Sequence, residues 1–197
     1  MVKKNIFQFL AILLLLISCG EKGHTDLTRA EQIRERLFDT SQSPVMVVSH
    51  RGDWRGFPEN SLEAIESAVA MGVDVVEIDI QMTADSILIL MHDAALDRTT
   101  TGKGPVNMWS IDSIRTLNLR NGCNIRTKHK VPTLEEALWL AKDRVLLNLD
   151  KADRYFDQIY PLLEKTGTTR QIIMKGSRPA NEVSALYGRY LDSVIYM

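Results

Sequence analysis

Cysteine is scarce: Cys19 and Cys123 are the two thiols in 197 residues, which excludes a disulfide-stapled miniprotein. An excess of either charge is also lacking. Lys and Arg number 24 against 25 Asp and Glu, a formal net charge of -1, and this is not the balance of a cationic nucleic-acid binder. Glycine (11) and proline (6) are too few for a collagenous or low-complexity chain, and no internal repeat is present. No apolar run reaches the ~20 residues that a membrane-spanning helix takes. What remains is an ordinary globular balance, with 45% hydrophobic and 25% charged residues.

The longest apolar stretch, Ile6 to Ile17 interrupted only by Gln8, follows Lys3 and Lys4 and suits a signal-peptide core. Leu16-Ile17-Ser18-Cys19 then resembles a bacterial lipobox, in which the cysteine becomes the lipidated first residue. The expectation is an exported lipoprotein, anchored to a membrane through Cys19 on the periplasmic or cell-surface side. An ordinary signal sequence with an incidental Cys19 is the alternative. Residues 1–18 would be the leader, 19–43 a tether with a lead-in helix, and 44–197 the functional domain. If Cys19 carries lipid, Cys123 has no partner for an internal disulfide.

Thr28 with Glu31 reads as a capping box that opens the lead-in helix, whose apolar residues are Ile33 and Leu37. Strand-like runs follow at Val45 to Ser49, Val73 to Ile80, Ile87 to Met91, Arg144 to Leu149, Gln171 to Met174 and Ser193 to Tyr196. Helical patterns lie between them: one starting at Asn60 to Glu63 and ended by Gly72, then Thr133 to Lys142, Tyr155 to Leu163 and Pro179 to Tyr190. Thr133 with Glu136 is a second capping box. This alternation predicts parallel βα units. The polar piece from Arg98 to Val131 is an excursion between the third and fourth strands, of a length that is functional or carries small elements of its own. Six strands fit an open α/β sheet, or a TIM-type (β/α) barrel truncated after about six strands, since a whole barrel takes ~250 residues.

Polar clusters sit where the strands end: His50-Arg51-Gly52, Glu77 with Asp79, and His92-Asp93. The two-residue period of a strand puts Val75, Glu77 and Asp79 on one face and Val76, Ile78 and Ile80 on the other. Two carboxylates held facing one way repel unless a cation lies between them, and hard oxygen ligands favour Mg²⁺ or Ca²⁺. A solvated acidic strand face is the bland alternative. Two imidazoles can serve as acid and base across one bond, and a guanidinium can clamp a phosphate through parallel hydrogen bonds. Arg98-Thr-Thr-Thr-Gly-Lys-Gly104 lacks the spacing of a nucleotide-binding P-loop. Met82, Met91, Met108, Trp109 and Trp139 are expected to pack, while Trp54 and Phe57 suit either a substrate mouth or surface packing.

Taken together, His50-Arg51-Gly52, Pro58-Glu59-Asn60-Ser61, Glu77-x-Asp79, Thr83-x-Asp85, His92-Asp93, Leu96-x-Arg98-Thr99-Thr100 and Val131-Pro132-Thr133-Leu134-x-Glu136 resemble the glycerophosphodiester phosphodiesterase family. The resemblance implies a phospholipase-C-like βα barrel. It implies hydrolysis of a small glycerophosphodiester to glycerol 3-phosphate and an alcohol, with Ca²⁺ or Mg²⁺ and no nucleic-acid partner. By position, His50 and His92 match the acid/base pair, Arg51 the phosphate contact, and Glu77 and Asp79 two metal ligands. Glu59 matches a supporting acid that assists a ligand or orients Arg51.

Two departures stand out. Where the family usually shows Glu-x-Lys after the fourth strand, this chain has Asp150-Lys151-Ala152, so Asp150 becomes the candidate third ligand. Lys151 should point to the opposite face, leaving Lys175 to supply a cation. The family's seventh and eighth strands have no counterpart before Met197, so the C-terminal part of the barrel is expected to be missing. Two alternatives are a non-catalytic phosphodiester-binding lipoprotein and a phosphodiesterase of lysophospholipid or sphingolipid headgroups. The sequence says nothing of oligomeric state.

Overall fold

The computed structural model describes residues 26–41 and 45–197, and the expected leader and Cys19 lie outside them. Helix α1 (Arg29–Phe38) starts where its capping box requires. The Thr28 hydroxyl accepts from the Glu31 amide, and the Glu31 carboxylate accepts from the Thr28 amide at 2.8 Å. The strands are β1 (Val48–His50), β2 (Val75–Met82), β3 (Leu88–Leu90), β4 (Leu146–Asp150), β5 (Ile172–Met174) and β6 (Ile195–Tyr196). The further helices are α2 (Leu62–Ala70), α3 (Ile111–Thr116), α4 (Leu134–Ala141), α5 (Phe156–Thr166) and α6 (Ala180–Tyr187).

The strand order β1-β2-β4-β5-β6 is parallel throughout, as in consecutive strands of a (β/α) barrel. Six strands form among the described residues, as the sequence predicts, but β3 is not part of that path. It pairs antiparallel with the far end of β2, Ile80 opposite Leu90 and Met82 opposite Leu88, so the parallel path has five strands. The short turn at Thr83–Ser86, with Ser86 in the left-handed region (φ 62°), is a hairpin connection and leaves no room for a crossover.

The alternating pattern of each strand divides the molecule. Val76, Ile78, Ile80, Leu147, Leu149, Ile172 and Met174 face outward into the apolar stripes of α2, α4 and α5, which carry Ile65, Leu134, Leu138, Ile159 and Leu163. Val75, Leu146 and Ile173 face inward, and there Ala30 and Ile33 of α1 cover them. Helix α1 therefore closes the N-terminal end of the parallel strands. It is fastened by Arg29, which donates to the carbonyls of Gly72, Val73 and Arg144, and by an ion pair between Arg36 and Asp74.

The excursion is a packed unit. Val106, Ile114 of α3, Leu119 and Val131 bury themselves with Ile89, Met91 and Leu96 in a second core that anchors β3. Of the side chains expected to pack, Met91 is buried and Met82 and Trp109 pack partly buried against the cores, whereas Met108 is largely and Trp139 about half exposed. No helix among the described residues is long and apolar enough to cross a membrane.

Because Ile33 is 3% exposed against Val75, Leu146 and Ile173, Ile33→Ala should lower stability by about 2–5 kcal/mol in a denaturant titration.

Candidate active site

The parallel register brings the polar residues together. His50, the last residue of β1, lies opposite Glu77; Glu77 lies opposite Asn148; and Asp79 lies opposite Asp150. Paired residues of parallel strands project to the same side, so these groups stand on the inward face, above the apolar layer covered by α1. β2 does not stop at Ile80 as the sequence suggests. It runs on to Met82, and Asp79 marks instead where its parallel pairing ends.

After β1 the chain turns sharply, with Arg51 (φ 56°) and Gly52 (φ 72°) in the left-handed region. A side chain at Gly52 would place its first carbon 2.7 Å from the Ala64 backbone, so the loop can press against α2 only with glycine there. The turn aims the Arg51 amide at Glu77 Oε2 (3.0 Å) and Nη1 at Glu59 Oε1 (2.9 Å), and leaves the buried Nε 3.3 Å from Asp79 Oδ2, an ion-pair contact without a hydrogen bond. Asn60, which in sequence looks like part of a helix cap, has another task. Ser61 caps α2, while Asn60 (φ 59°) exchanges two hydrogen bonds with Asp79, Nδ2 to Oδ2 at 3.0 Å and Oδ1 from the amide at 3.1 Å.

Glu77, Asp79 and Asp150 each offer an oxygen, and these oxygens lie within 4.8 Å of one another. Asp79 is 1% exposed and Glu77 7%. Burial, reinforced by the neighbouring Asp79 and Asp150 charges, pushes the Glu77 carboxyl up to about 7. Asp150 shifts the opposite way, because Lys175 at 2.8 Å and Lys151 at 3.7 Å outweigh its burial. Beside Glu77 on the same face, the buried Asn148 Oδ1 has no hydrogen-bond partner among the described residues. A hard divalent cation fits this set: three carboxylates, of which Glu77 has its proton affinity raised by burial and by the other two, and an orphaned amide oxygen alongside.

The histidines differ. His50 is mostly exposed, with Nε2 3.8 Å from Glu77 Oε2. His92, just past β3, has Nδ1 2.6 Å from Asp93 Oδ1, which assigns the ring proton to Nδ1 and leaves Nε2 for proton transfer. Arg98 donates to both oxygens of Asp93 (2.7 and 2.9 Å) and both oxygens of Glu59 (2.9 and 2.8 Å). Arg98 drives the Asp93 carboxyl far below the usual carboxylate range, and also lowers Glu59 against the opposing effect of burial. Trp54, Glu59, Arg98, Thr99 and Asn121 border a neighbouring cavity of about 280 Å³, whereas Phe57 packs edge-on against His129.

Residues 50–173 match the glycerophosphoryl diester phosphodiesterase family. The chain belongs to this family. It is 34% identical over 148 residues to glycerophosphodiester phosphodiesterase 1 of Bos taurus, covering 67% of this chain and 45% of that protein. It is also similar to the crystal structure of a glycerophosphodiester phosphodiesterase from Agrobacterium tumefaciens, with a TM-score of 0.66 and 27% identity over 78% of this chain and 66% of that one. A phosphodiesterase from Oleispira antarctica shares the fold, with a TM-score of 0.65 and 22% identity over 77% of this chain and 64% of that one. The chain thus spans about half the length of the curated relatives it matches.

At one position the chain departs from the rest of its family, which usually has a lysine there. Ala152, at that position, is fully buried and supplies no cation. Lys151 does not point to the opposite face as strand alternation predicts. β4 ends at Asp150, and the left-handed turn at Lys151 (φ 58°) brings its ammonium to 3.8 Å from Asp79 and 3.7 Å from Asp150. Lys175, just beyond β5, does supply a cation, to Asp150. The sequence assigns no site role to Asn60, Asp93, Arg98 or Asn148; the first three stand inside the family's motifs, but nothing in sequence shows what they touch.

The raised Glu77 carboxyl has a measurable consequence. Its proton is bound more tightly in the folded protein, so its contribution to stability is full below about pH 4.5 and is lost as pH rises through about 7. Without divalent cation, the melting temperature should fall from pH 5 to pH 8; Ca²⁺ or Mg²⁺ should raise it more at pH 8, and Glu77→Gln should flatten both trends.

Proposed function

We propose that this chain forms the catalytic face of an enzyme that hydrolyses a glycerophosphodiester to glycerol 3-phosphate and an alcohol, with Ca²⁺ or Mg²⁺ held by Glu77, Asp79 and Asp150. The observation that carries this reading is the convergence of those three carboxylates beside Arg51 and His50. The related phosphodiesterase of Oleispira antarctica is in complex with sn-glycerol-3-phosphate, a product consistent with this reading.

A divalent cation in such a site supplies Lewis acidity to a non-bridging phosphate oxygen. Arg51 neutralises a second oxygen; its guanidinium is already oriented by Glu59 and Asp79, so little reorganisation accompanies substrate binding. One of His50 and His92 takes the proton from the attacking oxygen, of water or of the substrate's own glycerol, and the other gives one to the alkoxide that departs as the P–O bond breaks; where the glycerol oxygen attacks, water then opens the cyclic phosphate to glycerol 3-phosphate. Asp93 stabilises the imidazolium of His92 and holds its ring in place. Asn60 keeps Asp79 facing the cluster through its paired hydrogen bonds.

A binding-only protein is the second reading, favoured by the two lysines that already neutralise Asp150. The two readings separate in one assay. Glycerol 3-phosphate released from glycerophosphocholine or glycerophosphoethanolamine should depend on Ca²⁺ or Mg²⁺ and vanish with EDTA. His50→Ala and His92→Ala should each lower the rate by about 10²–10⁴. A melt raised by metal without product would favour binding, and two histidine variants with wild-type rates would overturn the assignment.

Export and a membrane tether at Cys19 complete the proposal, supported by Leu16-Ile17-Ser18-Cys19 after an apolar core. Labelled palmitate should enter the full chain and appear in the membrane fraction, and Cys19→Ser should abolish both.

A further inference from the structure

We infer that Arg98 is a positioning residue that couples the phosphate-binding arginine to the acid/base histidine. This rests on the phosphodiesterase reading above. His92 and Arg51 come from different loops. Arg51 follows β1 and His92 follows β3, two strands that each pair with β2 and not with each other. At the mouth of the site, the carboxylates of Glu59 and Asp93 have to hold both groups, and two such carboxylates repel.

Arg98 resolves that repulsion. Its guanidinium makes four hydrogen bonds of 2.7–2.9 Å, two to each carboxylate, in the planar geometry that a guanidinium has and an ammonium lacks. Each carboxylate passes the constraint on. Glu59 Oε1 also accepts from Arg51 Nη1 at 2.9 Å, and Asp93 Oδ1 also meets His92 Nδ1 at 2.6 Å. The result is a continuous chain, Arg51–Glu59–Arg98–Asp93–His92, in which Arg98 is the sole member touching both carboxylates among the described residues. Arg98 is itself fixed from below, because Leu96 and the Thr100 hydroxyl seat its segment on the second core. None of its hydrogen bonds reaches Glu77, Asp79 or Asp150. Asp79, which Arg51 also meets, is held independently by its two hydrogen bonds with Asn60, so loss of Arg98 should disturb catalysis and phosphate binding while sparing the metal ligands.

The test uses the whole chain with ¹⁵N-labelled histidine, and His92→Gln to assign the His92 ring signal. In the wild type the His92 Nδ1–H proton should be shifted downfield and protected from exchange with water. Arg98→Ala should lose that signal, and so should Arg98→Lys, whose point charge cannot fork to both carboxylates; added guanidinium should restore it in Arg98→Ala. The lysine variant also serves if the alanine variant melts early. In parallel, Arg98→Ala should lower kcat by about 10²-fold, the scale of a small misplacement of reacting groups, and raise KM, with Ca²⁺ affinity by calorimetry unchanged. A His92 signal that survives in Arg98→Ala, or a lysine variant equal to wild type, overturns the inference. A wild-type chain without turnover overturns the phosphodiesterase reading instead, and the ring signal still decides the role of Arg98.

Discussion

Glu77, Asp79 and Asp150 are forced to within 4.8 Å of one another by backbone register, and three carboxylates at that distance cannot all keep their charge in a buried site without cations. Much of the upper half of the molecule follows from this. Arg51 bends back through a left-handed turn to reach Asp79, Lys151 leaves β4 in a second such turn to lie near both aspartates, and Lys175 closes on Asp150. Glu77 has the least direct cationic help and is the carboxyl whose proton is held most strongly.

The lower half makes this crowding possible. Covered by Ala30 and Ile33, the inward residues Val75, Leu146 and Ile173 form a dry floor, so the next inward positions, Glu77 and Asn148, are buried from beneath. Helix α1 thus has a part in the electrostatics of a site it never touches. A polar floor would admit water and weaken the interactions between the charges above it.

The excursion has a comparable supporting role. Its own apolar core fixes β3 and the Leu96–Thr100 segment, and these carry His92, Asp93 and Arg98. The reacting groups therefore come from two separately packed units, the parallel sheet and this smaller cluster, and ionic contacts between Glu59 and Arg98 join them at the mouth. The contact between them is polar and partly solvated.

Patterns confined to one segment were legible in the sequence. The two capping boxes, the positions of all six strands and the division of β2 into an acidic and an apolar face could be read directly, because periodicity and local hydrogen bonding are set by neighbours along the chain, whereas His50, Arg51, Glu59, Glu77, Asp79, His92 and Asp150 were singled out together by resemblance to the family's motifs. Tertiary structure alone decided the direction of β3, the turn that brings Lys151 back to Asp79, the pairing of Asn60 with Asp79 and the bridge made by Arg98. Each of these joins groups distant in the chain or depends on one left-handed residue, and spacing along a strand carries no record of a contact closed by other segments.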